Sequence, residues 1–114
     1  MPRREKTRRY GAREKEHMNA LMYNIAVSQI GEQRLDTFIA VSNEVERAKM
    51  HGESFSSLHE AYAVLLEEVD ELWDITRMKR RDRDPNEIRK ELIQIAAMAV
   101  KSLESLDNFI GGEV

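Results

Sequence analysis

Apolar residues recur every three or four positions along two long stretches of the chain, with charged residues between them. This spacing puts the apolar side chains on one side of an α-helix, and no stretch alternates as a half-buried strand would. The first stretch carries Leu58, Ala61, Tyr62, Leu65, Leu66, Val69, Leu72 and Trp73, and the second Ile88, Leu92, Ile95, Ala99, Leu103 and Leu106. We therefore predict an all-α fold.

Capping signals mark the starts of these two helices. Ser57 and Glu60 form a capping box, in which each side chain accepts a hydrogen bond from the other residue's amide, and this helix is expected to run to about Arg80. Asp84 as N-cap and Pro85 at the first helical position predict the start of the last helix. That helix is expected to end before the Gly-Gly pair near the C-terminus.

Two shorter periodic stretches precede this pair. The first runs from His17 to Ile25 and fades before Gly31, and the second runs from residue 35 to 48 and should end near Gly52. We favour two helices over one helix bent at Gly31. The sequence then predicts a bundle of about four helices, and 114 residues suffice for one domain with its own core, which we assign to residues 16–114.

Residues 1–15 are predicted to form a flexible basic arm, because residues 2–15 carry seven Arg or Lys against two Glu and show no helical periodicity. Such an arm can bind the phosphates of nucleic acid in a salt-dependent way, or it can be a solvated tail that favours solubility. The chain has no cysteine, so a metal must use oxygen or histidine ligands. The sequence has neither a signal peptide nor a membrane span, so we expect a cytoplasmic protein without membrane contact.

Acidic residues with helical spacing suggest a metal site. Glu68 and Glu71 lie three residues apart on one helix with Glu67 beside them, and Glu91 and Gln94 repeat this spacing on the next helix. If the helices pack antiparallel, several oxygen atoms can converge between them, as Mg²⁺ prefers. The alternative is a solvated acidic face on the first helix. Glu91 argues against it, because it lies one residue from Leu92 and one turn from Ile95, and buried carboxylates need compensation.

These residues resemble the MazG-like, all-α nucleoside triphosphate pyrophosphohydrolases, whose signature is Glu-Glu-x-x-Glu on one helix and Glu-x-x-Asp on the next. Residues 67–71 fit the first half, and residues 91–94 fit the second except at Gln94. The resemblance covers roughly residues 58–106. It implies an all-α bundle whose site is completed in a homodimer or a higher homo-oligomer, and a monomeric bundle is the alternative.

The resemblance also implies an activity and a role for each acidic residue. Glu68, Glu71 and Glu91 would bind Mg²⁺, or Mn²⁺, and Glu67 would orient or activate water. A nucleoside triphosphate would be hydrolysed between its α and β phosphates, giving the monophosphate and pyrophosphate. Gln94 brings an amide oxygen without negative charge, so either the metal set is altered or catalysis is lost and a non-catalytic binding or assembly protein remains.

Other residues are weaker candidates for the substrate site. Lys101 lies on about the same helical face as Gln94 and could meet a phosphate, although a lysine whose stem packs on apolar surface is the more common case. Arg81 and Arg83 could close over a triphosphate from the turn between the two helices, or belong to a solvated basic turn. Trp73 is expected in the core, although it could stack on a base.

Overall fold

The computed structural model describes residues 20–110, and every regular element among them is helical. The helices are α1, of which residues 20–30 are described, α2 (Glu32–Lys49), α3 (Leu58–Thr76), α4 (Pro85–Leu103) and α5 (Leu106–Ile110), with a 3₁₀ turn at Arg80–Asp82. The all-α prediction is confirmed for these residues, and four of the five helices have seven residues or more. The predicted arm, residues 1–15, lies outside them. No helix in the described part is both long and apolar enough to cross a bilayer.

The chain divides into two compact units, one ending at Phe38 and the other beginning at Ile39. In the first unit, Gly31 separates α1 from α2 with a φ of +90°, a left-handed conformation that glycine adopts without strain. The Tyr23 hydroxyl donates a hydrogen bond of 3.1 Å to Asp36 Oδ1, so α1 folds back along α2. The prediction of two helices rather than one is confirmed. The assignment of residues 16–114 to one domain stays a prediction.

In the second unit, α3 and α4 form an antiparallel hairpin that packs with the second half of α2. Its buried core is small and consists of Val45, Phe55, Ala61, Ala97 and Met98. Partly buried side chains surround it, namely Val41, Ala48, Val64, Leu65, Val100 and Phe109. Ala61 and Ala97 let the two helices of the hairpin and their neighbours approach closely, because an alanine adds only a methyl group to a helix surface.

The start of α3 follows half of the predicted capping box. The Ser57 hydroxyl accepts a hydrogen bond of 3.1 Å from the Glu60 amide, as predicted. The Glu60 carboxylate, however, accepts from the amide and hydroxyl of Ser56, at 2.7 and 3.0 Å, and not from the amide of Ser57. The amide that the Glu60 side chain binds is thus that of Ser56, one residue before the N-cap.

The helix α3 ends at Thr76, earlier than the predicted end near Arg80. A side chain from the following turn explains the early end, because the Arg83 guanidinium donates a hydrogen bond to the Thr76 carbonyl. A cation at this position also complements the negative end of the helix dipole. At the start of α4, Asp84 accepts a hydrogen bond of 2.9 Å from the Asn86 amide, so the predicted N-cap is confirmed.

The last predicted helix is interrupted, because α4 ends at Leu103 and α5 begins at Leu106. Ser105, in the break, donates from its hydroxyl to the Lys101 carbonyl at 2.8 Å and accepts from the Phe55 amide at 3.0 Å. Asn108 donates to the Phe55 carbonyl at 2.8 Å. We call this set, Phe55 with Lys101, Ser105 and Asn108, the loop anchor. It fixes the loop between α2 and α3 onto the end of α4.

Candidate metal centre

Three glutamates from the two helices of the hairpin meet at one place. Glu68 and Glu71 come from α3 and Glu91 from α4, and one carboxylate oxygen of each lies within 4.8 Å of the others. We call these three residues the carboxylate cluster. Glu91 is buried, with 7% of its surface exposed, whereas Glu68 is half-buried and Glu71 is exposed. The cluster is therefore closed on the α4 side and open beside Glu71.

Two oxygens of the carboxylate cluster have no compensating contact. Glu68 Oε2 and Glu91 Oε2 are buried, and neither has a hydrogen-bond partner. Within residues 20–110, the ion pairs all involve other carboxylates, so no lysine or arginine neutralises the cluster. A buried carboxylate without a partner is costly, and the usual outcomes are protonation or binding of a cation.

The proximity of the carboxylates changes their titration. The pKa of Glu68 is raised from 4.5 to about 7, first because burial disfavours the charged form and then through a hydrogen bond with Glu71 and its repulsion. The pKa of Glu91 is also raised, again chiefly by burial and then by Glu71. Like charges that share a site favour retention of a proton in this way. Glu68 therefore loses its proton only around neutral pH, well above the range of an ordinary glutamate.

The donor set fits a hard divalent cation. Mg²⁺ binds oxygen ligands at about 2.1 Å in octahedral geometry, which requires ligand oxygens roughly 3–4 Å apart. The separation of at most 4.8 Å within the carboxylate cluster allows this arrangement after small side-chain adjustments. Three carboxylates supply the charge, and the open side beside Glu71 leaves positions for water or a phosphate. The predicted convergence of Glu68, Glu71 and Glu91 is thus present in the structure.

The two other residues of the predicted motif lie close in sequence to the cluster. Glu67 is exposed on α3, one helical turn before Glu71, and its charge helps to raise the pKa of Glu68. Gln94 is half-buried on α4, one turn after Glu91. Their assigned roles stay predictions.

The three basic residues proposed for phosphate binding are in different environments. Lys101 is buried, with its Nζ atom 4.5 Å from the centre of the Phe55 ring, a cation–π contact within the loop anchor. Arg83 is half-buried and bonded to the end of α3, whereas Arg81 is exposed. Among residues 20–110, no hydrogen bond, ion pair or cation–π contact of the Arg81 side chain is found. Their roles toward a substrate also stay predictions.

Comparison with protein-family models, with curated proteins and with solved structures gives no match to this chain. The resemblance to the MazG-like superfamily therefore stays a prediction that rests on the motif residues.

Sequence reasoning missed two features of the second unit. The loop anchor joins Phe55 to Ser105, which are 50 positions apart, and no local pattern indicates such a contact. Trp73, expected in the core, is 56% exposed. The sequence contains an indication of this exposure, because the apolar residues of α3 cover a wider arc of the helix than one neighbouring helix can bury.

Proposed function

We propose that this protein is a divalent-cation-dependent nucleoside triphosphate pyrophosphohydrolase, with Mg²⁺ or Mn²⁺ held by the carboxylate cluster. The observation that supports the proposal is the convergence of Glu68, Glu71 and Glu91 around two buried oxygens that lack partners. A divalent cation compensates their charge and makes the burial of Glu91 favourable. The motif resemblance adds the choice of substrate.

The residues of the site then have distinct tasks. Glu68, Glu71 and Glu91 hold the cation, and the Gln94 amide oxygen is a further ligand. A bound cation neutralises the phosphates and lowers the pKa of a water molecule. Glu67, one turn from Glu71 on the exposed side, would accept the proton of the attacking water as its oxygen bonds to one phosphorus of the α–β phosphoanhydride and the bridging P–O bond breaks. The products are the nucleoside monophosphate and pyrophosphate.

A second candidate is a non-catalytic binding or assembly protein that keeps the helical scaffold. Two observations favour it: Gln94 contributes no charge to the site, and many large apolar side chains of the described helices are exposed. The basic residues at positions 2–15 would let such a protein contact nucleic acid.

Pyrophosphate release from a panel of canonical and modified nucleoside triphosphates, with Mg²⁺ or Mn²⁺, tests the first candidate. We expect activity in the wild type and its loss in Glu71→Gln. Activity that appears only in Gln94→Asp would identify a scaffold that has lost one ligand. No activity in any of the three proteins would favour the second candidate, and so would DNA or RNA binding that high salt or deletion of residues 2–15 abolishes.

Metal binding is measured separately by thermal denaturation. A cation that binds only the folded state stabilises it by about 2.7 kcal/mol at 100 times its dissociation constant. We expect Mg²⁺ or Mn²⁺ to raise the midpoint temperature of the wild type and to leave that of Glu71→Gln unchanged. Equal shifts in both proteins would exclude the carboxylate cluster as the site.

A further inference from the structure

The carboxylate cluster keeps a net negative charge even when it holds one divalent cation. Glu68, Glu71 and Glu91 bring three negative charges once they are deprotonated, and the cation brings two positive charges. Glu67, exposed one turn before Glu71, adds a further negative charge nearby. A triphosphate is itself strongly negative, so the site would repel it unless another positive group lies beside the cluster.

Lys90 lies on the same side of the hairpin as the open edge of the cluster. Viewed along a helix from its first residue, each residue is turned about 100° clockwise from the one before. Lys90 is therefore about 100° anticlockwise of Glu91 on α4. Glu71 is about 300° clockwise of Glu68 on α3, which is about 60° anticlockwise.

The packing of the hairpin relates these two rotations. Glu68 and Glu91 meet in the cluster, so both lie where the two helices face each other. Because α3 and α4 run antiparallel, the anticlockwise positions of both helices lie on one side of the hairpin. Lys90 and Glu71 therefore flank the same edge of the cluster, and this is the exposed edge.

The Lys90 side chain is available to a ligand at this edge. Lys90 is exposed, and no ion pair involving it is found among residues 20–110. It directly precedes Glu91, which is about 1.5 Å away along the axis of α4, and the flexible lysine stem can bring the ammonium over the cluster. Its charge already acts there, because burial and Glu71 raise the pKa of Glu91 and the charge of Lys90 opposes this rise.

The basic residues that the sequence suggests for phosphate binding are less well placed. Lys101 lies ten residues beyond Glu91, about 15 Å along α4, and its ammonium contacts the Phe55 ring. The Arg83 guanidinium binds the carbonyl at the end of α3. Arg81 lies in the turn before α4 begins. None of the three is next to a residue of the cluster in the chain.

We propose that Lys90 is a substrate-binding residue of the carboxylate site and that its ammonium binds the triphosphate oxygens that the cation does not neutralise. This inference rests on the proposed function, because it needs a triphosphate at the open edge, and it adds a residue outside both halves of the motif. The ammonium offers three hydrogen-bond donors and a full positive charge. In the absence of substrate, the same charge repels the cation.

The two effects of this charge predict opposite consequences when it is removed. Lys90→Ala should weaken the binding of a triphosphate and strengthen the binding of Mg²⁺ or Mn²⁺ alone. A lysine that is only solvated would change neither affinity. A lysine that only stabilises the hairpin would weaken both.

Calorimetric titration with a nucleoside triphosphate analogue tests the first consequence. In the analogue, a methylene group replaces the oxygen between the α and β phosphates, so binding is measured without hydrolysis. In saturating Mg²⁺, Lys90→Ala should raise the Kd of the analogue by about 10-fold or more, the loss of one hydrogen bond between charged groups. Lys90→Glu should raise it further, and Lys90→Arg should restore most of the affinity.

Arg89→Ala is the matched control, because it removes the same charge from the adjacent position. Arg89 is also exposed, but it lies about 160° around α4 from Glu91, away from the cluster. Arg89→Ala should change the Kd of the analogue by less than about 2-fold, since separated surface charges are largely screened by salt. Equal losses in Lys90→Ala and Arg89→Ala would overturn the proposal.

Titration with Mg²⁺ in the absence of nucleotide tests the second consequence. Lys90→Ala should lower the Kd of Mg²⁺ by about 2-fold or more, because it removes a positive charge beside the site. An unchanged or higher Kd would contradict the position of Lys90 at the edge of the cluster.

Turnover distinguishes failure of this proposal from failure of the proposed function. We expect Lys90→Ala to raise the KM for pyrophosphate release by about 10-fold and to change kcat much less, as for a group that binds substrate and transition state equally. Turnover with an unchanged KM in Lys90→Ala would leave the activity standing and refute the role of Lys90. If no protein releases pyrophosphate, a Kd of the analogue that depends on Lys90 would support the binding role and refute the activity. A wild type that does not bind the analogue would overturn the binding role.

Discussion

The carboxylate cluster and the loop anchor both bury polar groups at the surface of α4, yet they differ in how those groups are satisfied. In the loop anchor, the Ser105 hydroxyl donates to one carbonyl and accepts from one amide, and Asn108 bonds the remaining Phe55 carbonyl. In the carboxylate cluster, Glu68 and Glu91 each keep one buried oxygen without a partner. Complete pairing is typical of a structural contact, whereas missing pairing at convergent carboxylates is typical of a ligand site.

The largest expected difference between the two regions is in activity. Glu71→Gln should lower the rate of pyrophosphate release by about 100-fold or more, because changing even an outer partner of a metal ligand costs 10–100-fold. Asp70→Asn, which removes a neighbouring exposed carboxylate of α3, is the matched control and should retain the wild-type rate. An equal loss of rate in both variants would show that the rate depends on the total negative charge of α3 and not on the carboxylate cluster.

Ser105→Ala should destabilise the protein by about 1–3 kcal/mol without changing metal binding, because it leaves the buried Phe55 amide without an acceptor. Urea denaturation measures the change. Ser102→Ala is the control, since that hydroxyl bonds only the Met98 carbonyl of its own helix, and it should cost less than about 1 kcal/mol. Equal costs would show that the loop anchor is not a specific contact.

In the absence of metal, Glu91→Gln should stabilise the protein, the opposite of the effect expected for Ser105→Ala. Replacing a buried, uncompensated carboxyl with a neutral side chain of the same shape should raise the free energy of unfolding by about 1 kcal/mol. The same variant should lose stabilisation by Mg²⁺ or Mn²⁺. Denaturation in chelator and in excess metal measures both effects. If Glu91→Gln is less stable than the wild type in chelator, the Glu91 carboxyl stabilises the metal-free fold and the prediction is wrong.

A further expected effect is on the pH dependence of stability. The pKa of Glu68 in the folded protein is raised from 4.5 to about 7, so the folded state binds this proton more tightly than the unfolded state does. The stabilisation is then complete below about pH 4.5 and is lost as the pH rises towards 7.

Thermal denaturation in chelator between these pH values measures this loss, and Glu68→Gln should reduce the slope. Excess Mg²⁺ should reverse the trend, because the metal binds the deprotonated carboxylates. A wild-type slope equal to that of Glu68→Gln would contradict the raised pKa.

The helices of this protein could be predicted because their signals are local. The glycine at position 31 and the cap at Asp84 act within one turn of the chain, and the structure has both where the sequence indicates them. The ends of α3 and α4 were less predictable. The Arg83 side chain ends α3 from seven residues beyond Thr76, and Ser105 makes its contact with a loop 50 residues away.

Local sequence signals indicate the all-α class, the starts of α3 and α4, and the spacing that puts Glu68 and Glu71 on one side of α3, since these depend on neighbours three or four residues apart. Packing between distant parts of the chain brings Glu91 to these two residues, buries two oxygens of the cluster without partners and leaves Trp73 exposed. Periodicity fixes the direction of a side chain around its helix. Burial depends on which helix packs against that side, and this is set by contacts between residues far apart in the chain.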